Sequence, residues 1–230
     1  MSSIREALRE VDTITFDCYG TLIDWRAGLH QSLAELLELA PGELPVGLFE
    51  AYVQTEAEIE AGPYRSYREV LAAAAERLAD RFKFELSPGI SRLFAETLPH
   101  WAPFEDTNGA LARLKRRYRL GVLSNVDRDL FAGTALNFGV EFDFVVTAED
   151  VQAYKPARAH FERLLSQYGE RGRVLHAAQS LFHDGGPAQE LGIAFAWINR
   201  YAEPNTTAVR PLAEFADLRA LADAAETHQD

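Results

Sequence analysis

The stretch Thr13-Ile14-Thr15-Phe16-Asp17-Cys18-Tyr19-Gly20-Thr21-Leu22 decides the fold. Its first four residues are β-branched or aromatic, which suits a buried strand. Asp17 ends that run and Gly20 marks a turn, so the strand opens into a loop bearing polar groups. The next segment has a different period. From about Arg26 to Thr97, Leu29, Leu33, Leu36 and Leu37, then Val70, Leu71, Ala74 and Leu78, recur at helical spacing with charges on the other face. Pro41-Gly42, Gly62-Pro63 and Ser87-Pro88-Gly89 punctuate it into four helices, with no strand pattern among them.

Past Pro103 the pattern alternates. Helices are predicted over 108–117, 129–137, 157–168 and 187–191, and strands over 120–123, 144–146, 174–177 and 193–198. Such alternation builds a parallel sheet with helices on both faces. The economical arrangement is an α/β core from 1–24 and 101–230, with a four-helix insertion at 25–100 directly after the first strand. The tail from Ala213 reads as helix, turning polar toward Asp230.

Composition narrows the function classes. The chain has 230 residues, 47% of them apolar, enough to bury a sizeable core. Asp+Glu number 35 against 23 Lys+Arg, a formal charge of −12. Such a surface repels phosphate backbones and anionic lipid, so neither nucleic acid nor membrane is an expected partner. No apolar run approaches the roughly 18 residues of a membrane-spanning helix, and Met1–Leu8 has no signal-peptide character. A single cysteine, Cys18, excludes an intrachain disulfide and fits a reducing, cytoplasmic setting; beside Asp17 it reads as buried filler.

In an open parallel sheet, ligands bind beyond the carboxyl ends of the strands. The residues there are Asp17, Tyr19 and Thr21; Ser124 and Asn125; Lys155 near the third strand; and Ser180, His183 and Asp184 after the fourth. Two carboxylates, one ammonium and several small polar groups suit nucleophilic chemistry better than nucleotide binding. An isolated Asp after a strand is often a turn cap, but a carboxylate can also attack and form an ester or acyl phosphate. It then needs donors to position it and a cation to keep it charged, which Thr21 and Lys155 can supply.

These residues carry a resemblance. Phe16-Asp17-Cys18-Tyr19-Gly20-Thr21-Leu22-Ile23-Asp24 resembles the first motif of the haloacid dehalogenase superfamily, Leu123-Ser124-Asn125 the second and Tyr154-Lys155-Pro156 the third, while Gln179–Asp184 falls where the fourth belongs. The superfamily's phosphatases place a second Asp, a metal ligand and general acid, where Tyr19 stands. The Asp-x-Tyr-Gly-Thr-Leu form, Val151-Gln152-Ala153-Tyr154-Lys155-Pro156 and Ala196-Trp197-Ile198-Asn199-Arg200 are similar to the L-2-haloacid dehalogenase branch. The resemblance implies a Rossmann-like parallel-sheet core with an inserted helical cap, and no metal or other cofactor. It implies that Asp17 displaces halide at the carbon α to a carboxylate, after which water cleaves the ester. Lys155 and Asp184 are then the other catalytic residues, and Thr21, Ser124, Asn125 and Tyr19 the groups around nucleophile and substrate. The partner is a small-molecule carboxylate, and a homodimer is left open.

The sequence departs from that branch in the substrate and water shell. The branch's cap arginine would fall in Gly47-Leu48-Phe49-Glu50, which has none; Gln179 and Leu181 replace a Ser and an Asn of the fourth motif, and Phe161 replaces a tyrosine. Arg65 and Arg68, with Tyr64 and Tyr67, read as a solvated helix face, with one arginine as a candidate substitute for the missing one. His183-Asp184 lacks a third ligand at metal spacing. A Ser124-His183-Asp184 triad lacks a Gly-x-Ser-x-Gly elbow. Trp25 and Tyr19 read as pocket or core, and Asp127 and Asp129 as helix N-terminal acids. The rival readings are SN2 opening of a cyclic imino acid, a small-metabolite phosphatase, and a catalytically silent module on the same scaffold.

Overall fold

The structure is a computed structural model that describes residues 4–87 and 89–226. The elements run α1 (Ile4–Glu10), β1 (Thr13–Phe16), α2 (Trp25–Leu36), α3 (Leu48–Glu60), α4 (Tyr67–Phe82), α5 (Ile90–Leu93), α6 (Thr107–Lys115) and β2 (Arg119–Ser124). They continue as α7 (Arg128–Ala135), β3 (Phe144–Thr147), α8 (Ala148–Val151), α9 (Ala159–Gln167), β4 (Val174–Ala178), α10 (Gly186–Glu190), β5 (Ala194–Ile198), β6 (Ala213–Phe215) and α11 (Leu218–Glu226). The strands form one six-stranded sheet of order β3-β2-β1-β4-β5-β6, parallel at every pairing. This is the expected α/β architecture.

β1 is buried along its whole length because it lies at the centre of a sheet with helices on both faces. Phe16 pairs with Val122 on one side and Ala177 on the other, so β1, β2 and β4 end side by side. The chain moves outward through β2 and β3, then returns to start β4 on the other flank of β1. That reversal opens a crevice beyond the carboxyl ends of β1 and β4.

Between β1 and α6 the described residues hold α2 to α5 and two 3₁₀ runs, Pro41–Glu43 and Phe94–His100, with no strand. Asp24 caps α2 through Ala27 N at 3.2 Å, and Ser66 with Glu69 forms a capping box on α4. Gly28 of α2 lies flat under Trp101, whose ring would be 2.3 Å from any Cβ there. Only glycine lets that helix approach so closely.

One reading of the sequence needs correction. The segment from Ala213 does not start as helix: Ala213–Phe215 is an edge strand on β5, and the helix begins at Leu218. Three residues carry no period; strand pairing with Ala196–Ile198 decides their conformation. The end of that predicted tail, 227–230, lies outside the described residues. A π turn, Leu181–Gly185, precedes α10, and its Gly185 N–H reaches back to Ser180 O at 3.2 Å.

Candidate active site

Leu22 and Ile23, both without exposed surface, anchor the loop after β1 in the core, each worth about 1.5–3 kcal/mol of burial. The Cys18 carbonyl accepts from the amides of Thr21, Leu22 and Ile23 at 3.2, 2.7 and 3.0 Å, which winds the loop tightly. Gly20 makes the turn at φ +98°, with the Trp25 ring 2.9 Å from where a Cβ would sit. Both restraints demand glycine. The turn brings the Thr21 hydroxyl to Asp17 Oδ2 at 2.9 Å, and the same hydroxyl oxygen accepts from Gln179 N at 3.0 Å. Asp17 is thus held from below, its side chain 13% exposed.

Lys155 reaches the same point from the loop after α8. Its side chain is 1% exposed, and its Nζ donates to Asp17 Oδ1 at 2.8 Å, Asp184 Oδ1 at 2.7 Å and Leu123 O at 2.8 Å. An ammonium has three N–H groups, so all are spent within the protein. Asn125 fixes the lysine backbone from both sides: its Oδ1 accepts from Lys155 N at 2.7 Å and its Nδ2 donates to Lys155 O at 3.2 Å. The Lys155–Pro156 bond is cis.

The π turn delivers Asp184, whose Oδ1 also lies 3.0 Å from His176 Nε2. Thr15 Oγ1 is 2.9 Å from His176 Nδ1. An ionised carboxylate only accepts, so the network assigns the proton to Nε2, and Nδ1 accepts from the threonine. Burial alone would push Lys155 down; Asp17 and Asp184 outweigh it and hold the ammonium above its ordinary value. Burial would likewise raise Asp184, but Lys155 and His176 hold its carboxyl below the usual range. The cluster is a fixed cation between two fixed anions. Its net charge of one unit is negative, as a carboxylate nucleophile requires.

This cluster forms one end of a cavity of about 240 Å³, to which Tyr19 and Asn125 contribute from the same side. Tyr52, Glu56 and Glu60 reach in from α3, and Tyr67 from α4. A wider cleft of about 900 Å³ beside Trp101 and Arg200 contains none of Asp17, Lys155 and Asp184. The chemistry therefore sits in the smaller space.

The structure brings Asp17, Lys155 and Asp184 together as one bonded unit. Thr21 and Ser124 are fully buried behind the cavity; Thr21 grips Asp17, and Ser124 Oγ has no hydrogen-bond partner. The Tyr19 ring lines the cavity while its hydroxyl is tied to Thr134 Oγ1 at 2.8 Å. Cys18 is buried. The paper triad does not form: His183 Nδ1 meets Ser180 Oγ at 3.1 Å, and Asp184 faces Lys155 and His176. No cluster of three or more metal-type ligands exists among the described residues.

Three minor readings change. Arg65 is exposed and Arg68 pairs with Glu96 and Asp129, so neither stands in for a cap arginine. Among the described residues no arginine lines the cavity. Tyr67 is buried, with its hydroxyl 2.6 Å from Glu56 Oε1, and is not part of a solvated face. Asp127 does cap a helix, but across space: its two oxygens accept from Tyr67 N and Arg68 N at 2.9 and 3.0 Å, at the start of α4. Sequence reasoning missed His176, Glu56 and Glu60. A histidine inside an apolar strand was a usable signal for the first. The two glutamates, spaced like any solvated helical face, offered none.

Known proteins resemble this chain in sequence and in fold. The sequence profile of the haloacid dehalogenase-like hydrolases matches residues 11–177. The chain is 26% identical over 205 residues to a haloacetate dehalogenase of Moraxella sp. (strain B), covering 84% of this chain and 88% of that one. Its fold superposes on the crystal structure of an L-2-haloacid dehalogenase with a TM-score of 0.82 at 21% identity, over 94% and 99% of the two chains. An L-2-haloacid dehalogenase of Xanthobacter autotrophicus, with chloropropionic acid covalently bound, superposes with a TM-score of 0.78 at 20% identity, over 93% and 97%.

Proposed function

The chain belongs to the haloacid dehalogenase-like hydrolases, and on that premise we propose that it hydrolyses the carbon–halogen bond of a short 2-haloacid, with Asp17 as nucleophile. One observation carries the reading: Asp17 opens onto the cavity while Thr21 holds one of its oxygens and Lys155 the other. A carboxylate so restrained has already lost the freedom it would otherwise lose on reaching a near-attack geometry. The names borne by the relatives, haloacetate and 2-haloacid dehalogenase, support the same class.

A carboxylate oxygen of Asp17 attacks the carbon α to the substrate carboxylate. The carbon–halogen bond breaks, halide leaves with the electron pair, and an ester to Asp17 remains. Water then adds to the ester carbonyl carbon and the acyl–oxygen bond breaks. One water proton ends on the 2-hydroxy acid and the other passes to solvent, and Asp17 returns carrying one oxygen from water. Lys155 balances the fixed carboxylates throughout, and Asp184 orients the water. The segment 25–100 acts as a cap whose α3 and α4 close the cavity over the substrate. Tyr19 stands where a phosphatase has its second carboxylate, and its hydroxyl bond to Thr134 supports a reaction without metal.

The test is the mass of the peptide bearing Asp17 after many turnovers of 2-chloropropionate in ¹⁸O-water. Label in Asp17 is the expected result. Turnover with label only in the product acid would mean that water attacks the substrate directly.

A further inference from the structure

His176 is a polar residue in an apolar place. It lies on β4 directly opposite Thr15 of β1, neither residue has exposed surface, and it does not line the cavity. The Phe161 ring stands edge-on to the imidazole at 5.0 Å between centroids, and Phe195 lies over it at 6.2 Å, so a leucine would suit the packing. Both ring nitrogens are nevertheless used: Thr15 Oγ1 donates to Nδ1 across 2.9 Å, and Nε2 donates to Asp184 Oδ1 across 3.0 Å. The result is an uneven carboxylate. Oδ1 of Asp184 takes both His176 and Lys155, at 3.0 and 2.7 Å, while no protein group donates to the buried Oδ2. The terminal torsion of an Asp is broad and two-fold, so one donor alone would leave the two oxygens free to exchange places. Two donors from different elements hold one oxygen and commit the other to the cavity that Asp184 lines.

We propose that His176 is a positioning residue for the second half of the reaction: backed by Thr15, it pins Oδ1 of Asp184 so that Oδ2 accepts a hydrogen bond from the water that cleaves the Asp17 ester. The proposal rests on the displacement reading above and deepens it. The imidazole touches neither substrate nor water and acts through Asp184. Attack by Asp17 does not need it, because Thr21 and Lys155 hold that carboxylate by bonds in which His176 has no part. Ester cleavage does need it. Water must be held in line with the ester carbonyl carbon, and a carboxylate free to turn about Cβ–Cγ holds it in more than one place. Thr15, by donating to Nδ1, keeps the imidazole proton on Nε2, where Asp184 receives it as a hydrogen bond.

Rapid-quench single turnovers of 2-chloropropionate, with the intact mass of the full chain read at each time, resolve ester formation from ester cleavage. In His176→Leu, cleavage is expected to slow about ten-fold or more while formation stays within about three-fold of the parent, so that the ester mass accumulates. His176→Gln places an N–H the same number of bonds from Cβ as Nε2 and is expected to clear the ester at close to the parental rate. A folded His176→Leu that clears the ester as fast as the parent overturns the proposal. So does an equal loss in both half-steps, which is what a merely structural histidine would give. Accumulation of ester in His176→Gln overturns it even where the leucine variant does not fold. Nitrogen-15 spectra of the histidine-labelled parent need no turnover: the signals lost in His176→Gln should show a protonated Nε2 and a bare Nδ1, and the reverse overturns the proposal. A failure of 2-chloropropionate to label Asp17 therefore counts against the displacement reading alone, and an inverted tautomer against the role of His176 alone.

Discussion

The amide of Tyr67 donates to Asp127 Oδ1 across 2.9 Å. Tyr67 begins α4, and Asp127 immediately precedes α7 beside β2, so this bond ties the helical segment to the sheet at the edge of the cavity. The other Asp127 oxygen takes the Arg68 amide. A carboxylate on two amides at a helix N-terminus also meets the positive end of the helix dipole. Because Asp127 is 4% exposed, water cannot replace it cheaply.

Asp127→Ala should therefore cost about 1–3 kcal/mol, the range for leaving buried donors unpaired, read as a lower urea midpoint. The turnover number should fall with it, since Tyr67 also positions Glu56. An unchanged midpoint would mean that the α4 amides find another partner.

Lys155→Met removes the one cation from between Asp17 and Asp184. Breaking a buried pair from one side typically costs about 3–5 kcal/mol, because an uncompensated charge stays behind. We expect that loss in equilibrium unfolding. If about 3 kcal/mol of it appears in the barrier, the single-turnover rate falls roughly 10²-fold. Lys155→Arg should not restore it, since a planar fork cannot serve three acceptors arranged around a compact ammonium. Full activity in the arginine variant would show that charge alone suffices.

Asp184 provides a pH signature. Burial would raise its carboxyl, yet Lys155 and His176 hold it below the ordinary range. Its folded value thus lies below its unfolded one, near 3.9. Its contribution is complete above about pH 4 and is lost as pH falls through the folded value. Asp184→Asn lacks that titration and is already weaker at neutral pH, where Lys155 has one counter-charge fewer. The stability gap between parent and variant should shrink on acidification. A gap constant with pH would mean that Asp184 is not ionised in the folded protein.

The hydroxyl of Tyr19 is committed to Thr134, and no carboxylate replaces it at that position. Prolonged treatment with a chelator should leave turnover of 2-chloropropionate unchanged. Loss of activity that magnesium restores would instead favour phosphatase chemistry.

Much of the fold was legible because it rests on local periodicity. Thr13–Phe16 is apolar throughout since β1 is buried on both faces, and its predicted bounds are those observed. Leu29 and Leu33, or Val70, Leu71, Ala74 and Leu78, recur at helical spacing because one face of each helix meets the core. The edge strand Ala213–Phe215 was hidden: its pairing partner, not its composition, makes it a strand. Asp17, Lys155 and Asp184 stood out because each follows a strand of a parallel sheet, and such ends must converge.

What the amino-acid order determined by itself was which elements form and which residues stand at their ends. Only the tertiary structure decided what those residues face. Asn125 turns to the Lys155 backbone, Asp127 caps a helix whose first residue lies 60 positions away, and Glu56 and Glu60 point into the cavity. The physical reason is one of range. Periodicity reports the single burial direction of an element, whereas a hydrogen-bond partner or a cavity wall is set by how two elements dock. A glutamate on the docked face and one on the solvated face of α3 look alike until α3 is laid over the end of β1.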